Sequence, residues 1–117
     1  MNLQNKHCRE LAKGTPSLSD AEIGLLLPDV PGWSVERASD GKGQLRRQFQ
    51  FKDFLGAMGF VTRLALIAER EQHHPDFAVH YNRIDVTSWT HTVGGLSEND
   101  FILAAKINAM MTDALEA

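Results

Sequence analysis

Cysteine is nearly absent from this chain: Cys8 stands alone among 117 residues. That excludes an intramolecular disulfide and any zinc site built on paired cysteines. Long apolar runs are missing too. Residues 1–13 are mixed polar and charged, unlike a secretory signal, and no stretch approaches the ~20 apolar residues of a membrane span. Basic runs are short: Arg46-Arg47 and Lys52 form no stripe, and the formal charge is −3, which argues against a nucleic-acid surface. Phosphate loops are absent, since neither Gly41-x-Gly43 nor Gly94-Gly95 matches one, and no serine sits in a nucleophile-elbow pattern. These absences point to a cytoplasmic protein without membrane or nucleic-acid contact. Its hydrophobic content of 43% and charged content of 23% are ordinary for a single globular domain.

What is present has a clear order. Residues 1–16 show weak periodicity and read as a mobile leader, leaving 17–117 as the domain. Ser19 and Glu22 form a capping box, with Leu18 and Ile23 at its staple positions, and Pro28 stops that helix. Trp33 to Ala38 reads as a strand, Asp40-Gly41 as a turn, and Leu45, Arg47, Phe49 and Phe51 as one face of the return strand, with Arg47 interrupting its apolar pattern. Asp53 caps a helix with Phe54, Met58, Val61, Ala65 and Ala68 on one stripe and Phe60, Leu64 and Ile67 on a second. Phe77–Tyr81 and Ile84–Thr90 are two further strands. Ser97 and Asp100 pair at the start of a last helix carrying Leu103, Ile107, Met110 and Ala114. The order α-β-β-α-β-β-α predicts an α+β domain: a four-stranded antiparallel sheet with helices packed on one face.

Three of five histidines gather in two places, His73-His74 before Pro75 and His91 after Thr90. Pro75 ends the helix and biases His74 away from helical geometry. Imidazoles at element ends both donate and accept protons near neutral pH. Glu69 and His73 are spaced i, i+4, as metal ligands often are, but adjacent His73 and His74 diverge unless the backbone turns sharply, and the His-Glu-x-x-His spacing is missing. His7 and His80 read as surface residues.

These elements in order resemble the pterin-4a-carbinolamine dehydratase family, also known as a dimerisation cofactor of a transcription factor. The resemblance is carried by Phe51-Lys52-Asp53-Phe54, Gly59-Phe60, Glu69-x-x-x-His73-His74-Pro75, Tyr81-Asn82, Thr90-His91 and Gly95-Leu96-Ser97-x-x-Asp100. It runs from Gly32-Trp33 to about Ile107. It implies a hydro-lyase that dehydrates a 4a-hydroxytetrahydropterin to a quinonoid dihydropterin in tetrahydrobiopterin recycling, with no cofactor and no metal. His73, His74 and His91 are the catalytic set it implies, two sharing the acid and base roles and the third orienting the hydroxyl. His73, His74, Pro75, Thr90, His91, Thr92 and Val93 would contact the pterin. Glu69 would orient an imidazole, Asp100 would support His91, and Trp33 would pack near the site or in the core. The family further implies a homodimer or homotetramer and coupling to an aromatic amino-acid hydroxylase. The alternatives are a protein-binding coactivator module and a homologue acting on another pterin, such as a molybdenum-cofactor intermediate. Gln72 and Trp89 depart from the family pattern, Trp89 standing where a small serine is familiar.

Overall fold

The computed structural model describes residues 2–116, with side-chain environments through residue 111. Seven main elements follow in chain order: α1 (Asp20–Leu26), β1 (Ser34–Arg37), β2 (Gly43–Gln50), α2 (Phe54–Glu71), β3 (Asp76–His80), β4 (Arg83–Ser88) and α3 (Glu98–Glu116). The order is the expected α-β-β-α-β-β-α. Ala114, placed on the last apolar stripe, lies outside the residues whose side chains are described.

Local chemistry starts each helix where the sequence signals it. Ser19 Oγ accepts from the Glu22 amide while Glu22 Oε1 accepts from the Ser19 amide, a complete capping box. Those bonds hold the Glu22 carboxyl below its usual range. Asp53 accepts from the Gly56 amide at 2.8 Å and opens α2. After α1, Pro28 falls inside a short 3-10 turn, Leu27–Asp29, so the chain tightens before it leaves the helix.

The sheet is antiparallel throughout, in the order β1-β2-β4-β3. Phe49 pairs with Ile84 and Arg47 with Val86, so these side chains share the face that packs on the helices. Leu45, Phe49, Ile84 and Val86 meet Phe60 and Leu64 of α2 and Phe101, Leu103 and Ile107 of α3 in one buried cluster. Arg47 breaks the apolar pattern without breaking the core. Its guanidinium donates to Asn108 Oδ1 at 2.6 Å and to the Pro31 carbonyl at 3.2 Å, and it lies 4.6 Å from the Phe49 ring centre. The turn beside it demands glycine: Gly32 has φ +89°, and an added Cβ would come within 2.7 Å of Arg47 Cζ.

The amino-terminal segment, expected as a leader, lies against the domain. Leu3 is 2% exposed in the core cluster, and Lys6 reaches Glu98 at 2.8 Å. The Cys8 amide donates to Glu71, and Arg9 exchanges backbone bonds with the Asn99 side chain. Periodicity gave no sign of this docking because it uses one apolar side chain and main-chain hydrogen bonds, not a stripe. Strand ends shift by a residue or two. The β3–β4 connection is Tyr81-Asn82 rather than Asn82-Arg83, with Tyr81 at φ +54°.

Candidate active site

The end of α2 sets the geometry. Gln72 follows the helix in a left-handed conformation (φ 52°, ψ 40°), so the chain reverses within one residue. The His73 amide returns to the Ala68 carbonyl at 3.2 Å, and the Gln72 side chain donates to the Glu69 carbonyl at 2.7 Å. Beyond that reversal the consecutive imidazoles diverge, as neighbours in the chain do, and meet different partners. His73 Nε2 lies 2.7 Å from Asp100 Oδ1, whereas His74 Nε2 lies 2.7 Å from Glu69 Oε1.

Asp100 is the centre of the buried part. It is fully buried, and its carboxylate accepts from four donors: Ser88 Oγ at 2.6 Å, Thr90 Oγ1 at 2.8 Å, the Ser97 amide at 3.0 Å and His73. The Thr90 hydroxyl proton is committed to Asp100, so Ser97 Oγ donates to Thr90 Oγ1 across 2.7 Å. The same accounting fixes His73. An acceptor-only carboxylate requires a proton on Nε2, which leaves Nδ1 of the neutral ring with its lone pair. Ser88 and Thr90 reach Asp100 because they alternate onto the core face of β4 and its extension.

A cavity of about 620 Å³ opens beside this network. His73, Thr90 and Thr92 line it, together with Arg70 and with Arg9 and Glu10 of the amino-terminal segment. Cys8 also lines it, but burial, reinforced by the charges of Glu71 and Asp100, pushes its thiol up to about 12. A thiol held protonated is no nucleophile. Burial pushes the neighbouring Glu71 carboxyl up as well. The Cys8 amide, His7 and Lys106 outweigh that and hold it below the usual carboxylate range.

The remaining expected residues fall around this centre. His74 and His91 are exposed and do not line the cavity, but each adjoins a residue that does. His91 opens a 3-10 turn, His91–Val93, and its ring lies 3.8 Å from the Trp89 ring, centre to centre. Pro75 is half-buried after the histidine pair, and Val93 is half-buried at the end of the turn. Asp100, expected to support His91, is bonded to His73 instead, because the Ser97–Asp100 turn places its carboxylate under the core face of β4 while His91 lies on the exposed side. Trp33 packs in the core, donating to Asn108 and meeting Phe49 edge-on, and does not line the cavity. Ser88, Glu71, Asn99 and the Arg9–Glu10 pair were not singled out as site residues. Only Ser88 carried a signal, sharing a strand face with Thr90. Among the described residues no three His, Cys, Asp or Glu side chains group as a metal site, and no helix is long and apolar enough to cross a membrane.

In this α+β domain a histidine tied to a buried carboxylate stands beside a polar cavity, an arrangement chemically able to exchange a proton with a bound molecule. Residues 16–110 match the family described as Pterin 4 alpha carbinolamine dehydratase, and the chain belongs to that family. A Stenotrophomonas maltophilia (strain K279a) protein named "Putative pterin-4-alpha-carbinolamine dehydratase" is 54% identical over 93 residues, 80% of this chain and 78% of that one. A protein of the same name from Xanthomonas campestris pv. campestris (strain 8004) is 44% identical over 115 residues, 98% of this chain and 95% of its own. The crystal structure of a transcriptional coactivator/pterin dehydratase from Brucella melitensis superposes with a TM-score of 0.72 at 40% identity. It covers 80% of this chain and 97% of that one.

Proposed function

We propose that this chain is a hydro-lyase that removes water from a 4a-hydroxytetrahydropterin, giving the quinonoid dihydropterin. The observation that carries the reading is His73, a residue of the cavity wall, held on Nε2 by the buried Asp100 and with no hydrogen bond from Nδ1 to any described residue. Dehydration breaks the C4a–O bond and the N5–H bond, and forms the C4a=N5 double bond. The hydroxyl needs a proton as it departs as water, and the N5 proton needs a base. His73 Nδ1 takes the N5 proton, while the Asp100 carboxylate stabilises the imidazolium that forms. His74, held by Glu69, gives a proton to the departing hydroxyl, and His91 orients that hydroxyl from the turn between Thr90 and Thr92. Each such proton transfer contributes on the order of 10²–10⁴-fold in rate. Pro75, Thr90, Thr92 and Val93 supply the walls for the flat heterocycle. The reaction takes place in the cytoplasm, in tetrahydrobiopterin recycling beside an aromatic hydroxylase, with no metal or cofactor.

Self-association accompanies this reading. Phe77 and Val79 pair with Val86 and Ile84 on the core-facing side of the sheet, yet they are 44% and 38% exposed on the edge strand β3. A second copy of the chain covers such an edge. Sedimentation at micromolar concentration giving only monomer would refute this part.

The activity is tested by following the absorbance of a freshly generated 4a-hydroxytetrahydropterin with purified protein. Accelerated loss that survives exhaustive chelation is expected. No acceleration, or loss on chelation with recovery on adding zinc, overturns the proposal.

A further inference from the structure

The amino-terminal segment does more than pack against the domain: it supplies a wall of the His73 cavity. Arg9 and Glu10 line that cavity together with His73 and Thr90. The backbone that carries them is pinned on both sides. Asn99 accepts from the Arg9 amide at 3.1 Å and donates to the Arg9 carbonyl at 2.7 Å. One residue earlier, the Cys8 amide donates to the buried Glu71 carboxylate at 2.7 Å. Leu3 in the core, Lys6 on Glu98 and the Gln4 carbonyl under Lys106 hold the start of the segment. This is a fixed strap whose two charged side chains have no hydrogen bond or ion pair with any described residue. Arg70 also lines the cavity, and its guanidinium is likewise unpaired among the described residues.

A wall that carries both a guanidinium and a carboxylate does not favour an anion. It matches a neutral ring edge that offers donors and an acceptor side by side. The 2-amino-4-oxo-pyrimidine of a pterin is such an edge: its amino group and ring N–H suit a carboxylate, and its carbonyl suits a guanidinium. We propose that Glu10 and Arg9 read this edge, making the strap the specificity-determining wall of the site. The assignment rests on the dehydratase reading for its substrate class and deepens it. Glu10 accepts from the 2-amino group and the adjacent ring N–H, and Arg9 donates to the 4-oxo group. A ring with oxygen in place of the 2-amino group sets an acceptor against one Glu10 oxygen beside the remaining ring N–H and is rejected, because a site built to hydrogen-bond a group discriminates against its absence.

The experiment compares binding of pterin (2-amino-4-oxo) and lumazine (2,4-dioxo) to the full-length protein by calorimetry, alongside turnover of the carbinolamine. Wild type is expected to bind pterin at least about tenfold more tightly than lumazine. Glu10→Gln should bring that ratio to within about threefold. Arg9→Ala should raise KM about tenfold with kcat within about twofold, the pattern of lost uniform binding. Lys13→Ala, which removes a charge from the same segment away from the cavity, should match wild type in all three readouts. Thermal unfolding checks that each variant is folded. An unchanged pterin-to-lumazine ratio in folded Glu10→Gln overturns the assignment, as does a wild type that does not discriminate between the two rings. A wild type that discriminates between them but does not turn over the carbinolamine would sink the dehydratase reading and leave the strap assignment standing.

Discussion

The His73 side chain is 11% exposed and bonded to a carboxylate with no exposure at all, while the next imidazole, His74, is 56% exposed and bonded to a carboxylate that is 72% exposed. Both contacts measure 2.7 Å, yet they do different work. Around Asp100, water is excluded, and every hydrogen-bonding position is assigned to a named donor, so the His73 tautomer and ring plane are fixed. Around Glu69, water competes for both partners, and such a pair contributes little to stability. Under the proposed mechanism the buried site therefore couples folding to chemistry, and the exposed site carries chemistry alone.

The strongest way to break that comparison is Asp100→Asn, which keeps the shape but replaces one oxygen with an amide that donates. In the Oδ2 position the amide would face the Ser97 N–H, a fixed donor that cannot accept. In the Oδ1 position it meets the Ser88 hydroxyl and His73 Nε2, both of which can reverse. The amide therefore settles toward His73, donates to Nε2 and drives the ring proton onto Nδ1, so the proposed base is lost. Turnover should fall on the order of 10²–10⁴-fold. Stability should fall by about 1–3 kcal/mol, since one buried donor pairing is lost. Paired kcat and denaturant-unfolding measurements decide the point, and imidazole nitrogen NMR reads the tautomer. A folded variant within tenfold of wild-type turnover would mean that the Asp100 contact is structural only.

His74→Ala sharpens the other half. With both His74 and Glu69 exposed, stability should change by no more than about 0.5 kcal/mol, while turnover drops about 10²-fold. Unchanged turnover would remove His74 from the chemistry. A marked loss of stability would show that the exposed pair is not the weak contact its surroundings imply.

How much of this was legible beforehand divides along the same line. Helix starts were readable because capping is local: Ser19–Glu22 and Asp53–Gly56 lie three residues apart. The strand pairs were readable because alternation survives even the intrusion of Arg47. The histidines stood out through Pro75 and the spacing to His91. The partner of Asp100 was not legible, because a helix-start carboxylate has a sufficient local role, and nothing in sequence shows which of two histidines the tertiary fold brings to it. Docking of residues 3–9 on Glu71 and Asn99 was hidden for the same reason. Both contacts join segments more than 60 positions apart through single polar groups, and periodicity detects faces, not individual bonds.

The smallest effect belongs to the residue that turns the chain out of α2 toward the two imidazoles. Gln72 occupies a left-handed conformation, which costs a residue with a Cβ roughly 1–2 kcal/mol and glycine almost nothing. Gln72→Gly removes that strain, but it also removes the exposed side-chain bond to the Glu69 carbonyl and loosens the unfolded chain, each worth about 0.5–1 kcal/mol. These terms nearly cancel, so stability should stay within about 1 kcal/mol of wild type and kcat within about twofold. Gln72→Val supplies the contrast: a β-branched side chain at positive φ is a genuine outlier. That variant should be less stable than Gln72→Gly and should misdirect His73 and His74 together. If Gln72→Gly lowers turnover as far as His74→Ala does, the backbone reversal is not what delivers the two imidazoles to their places, and the Gln72 side chain itself must be holding the site.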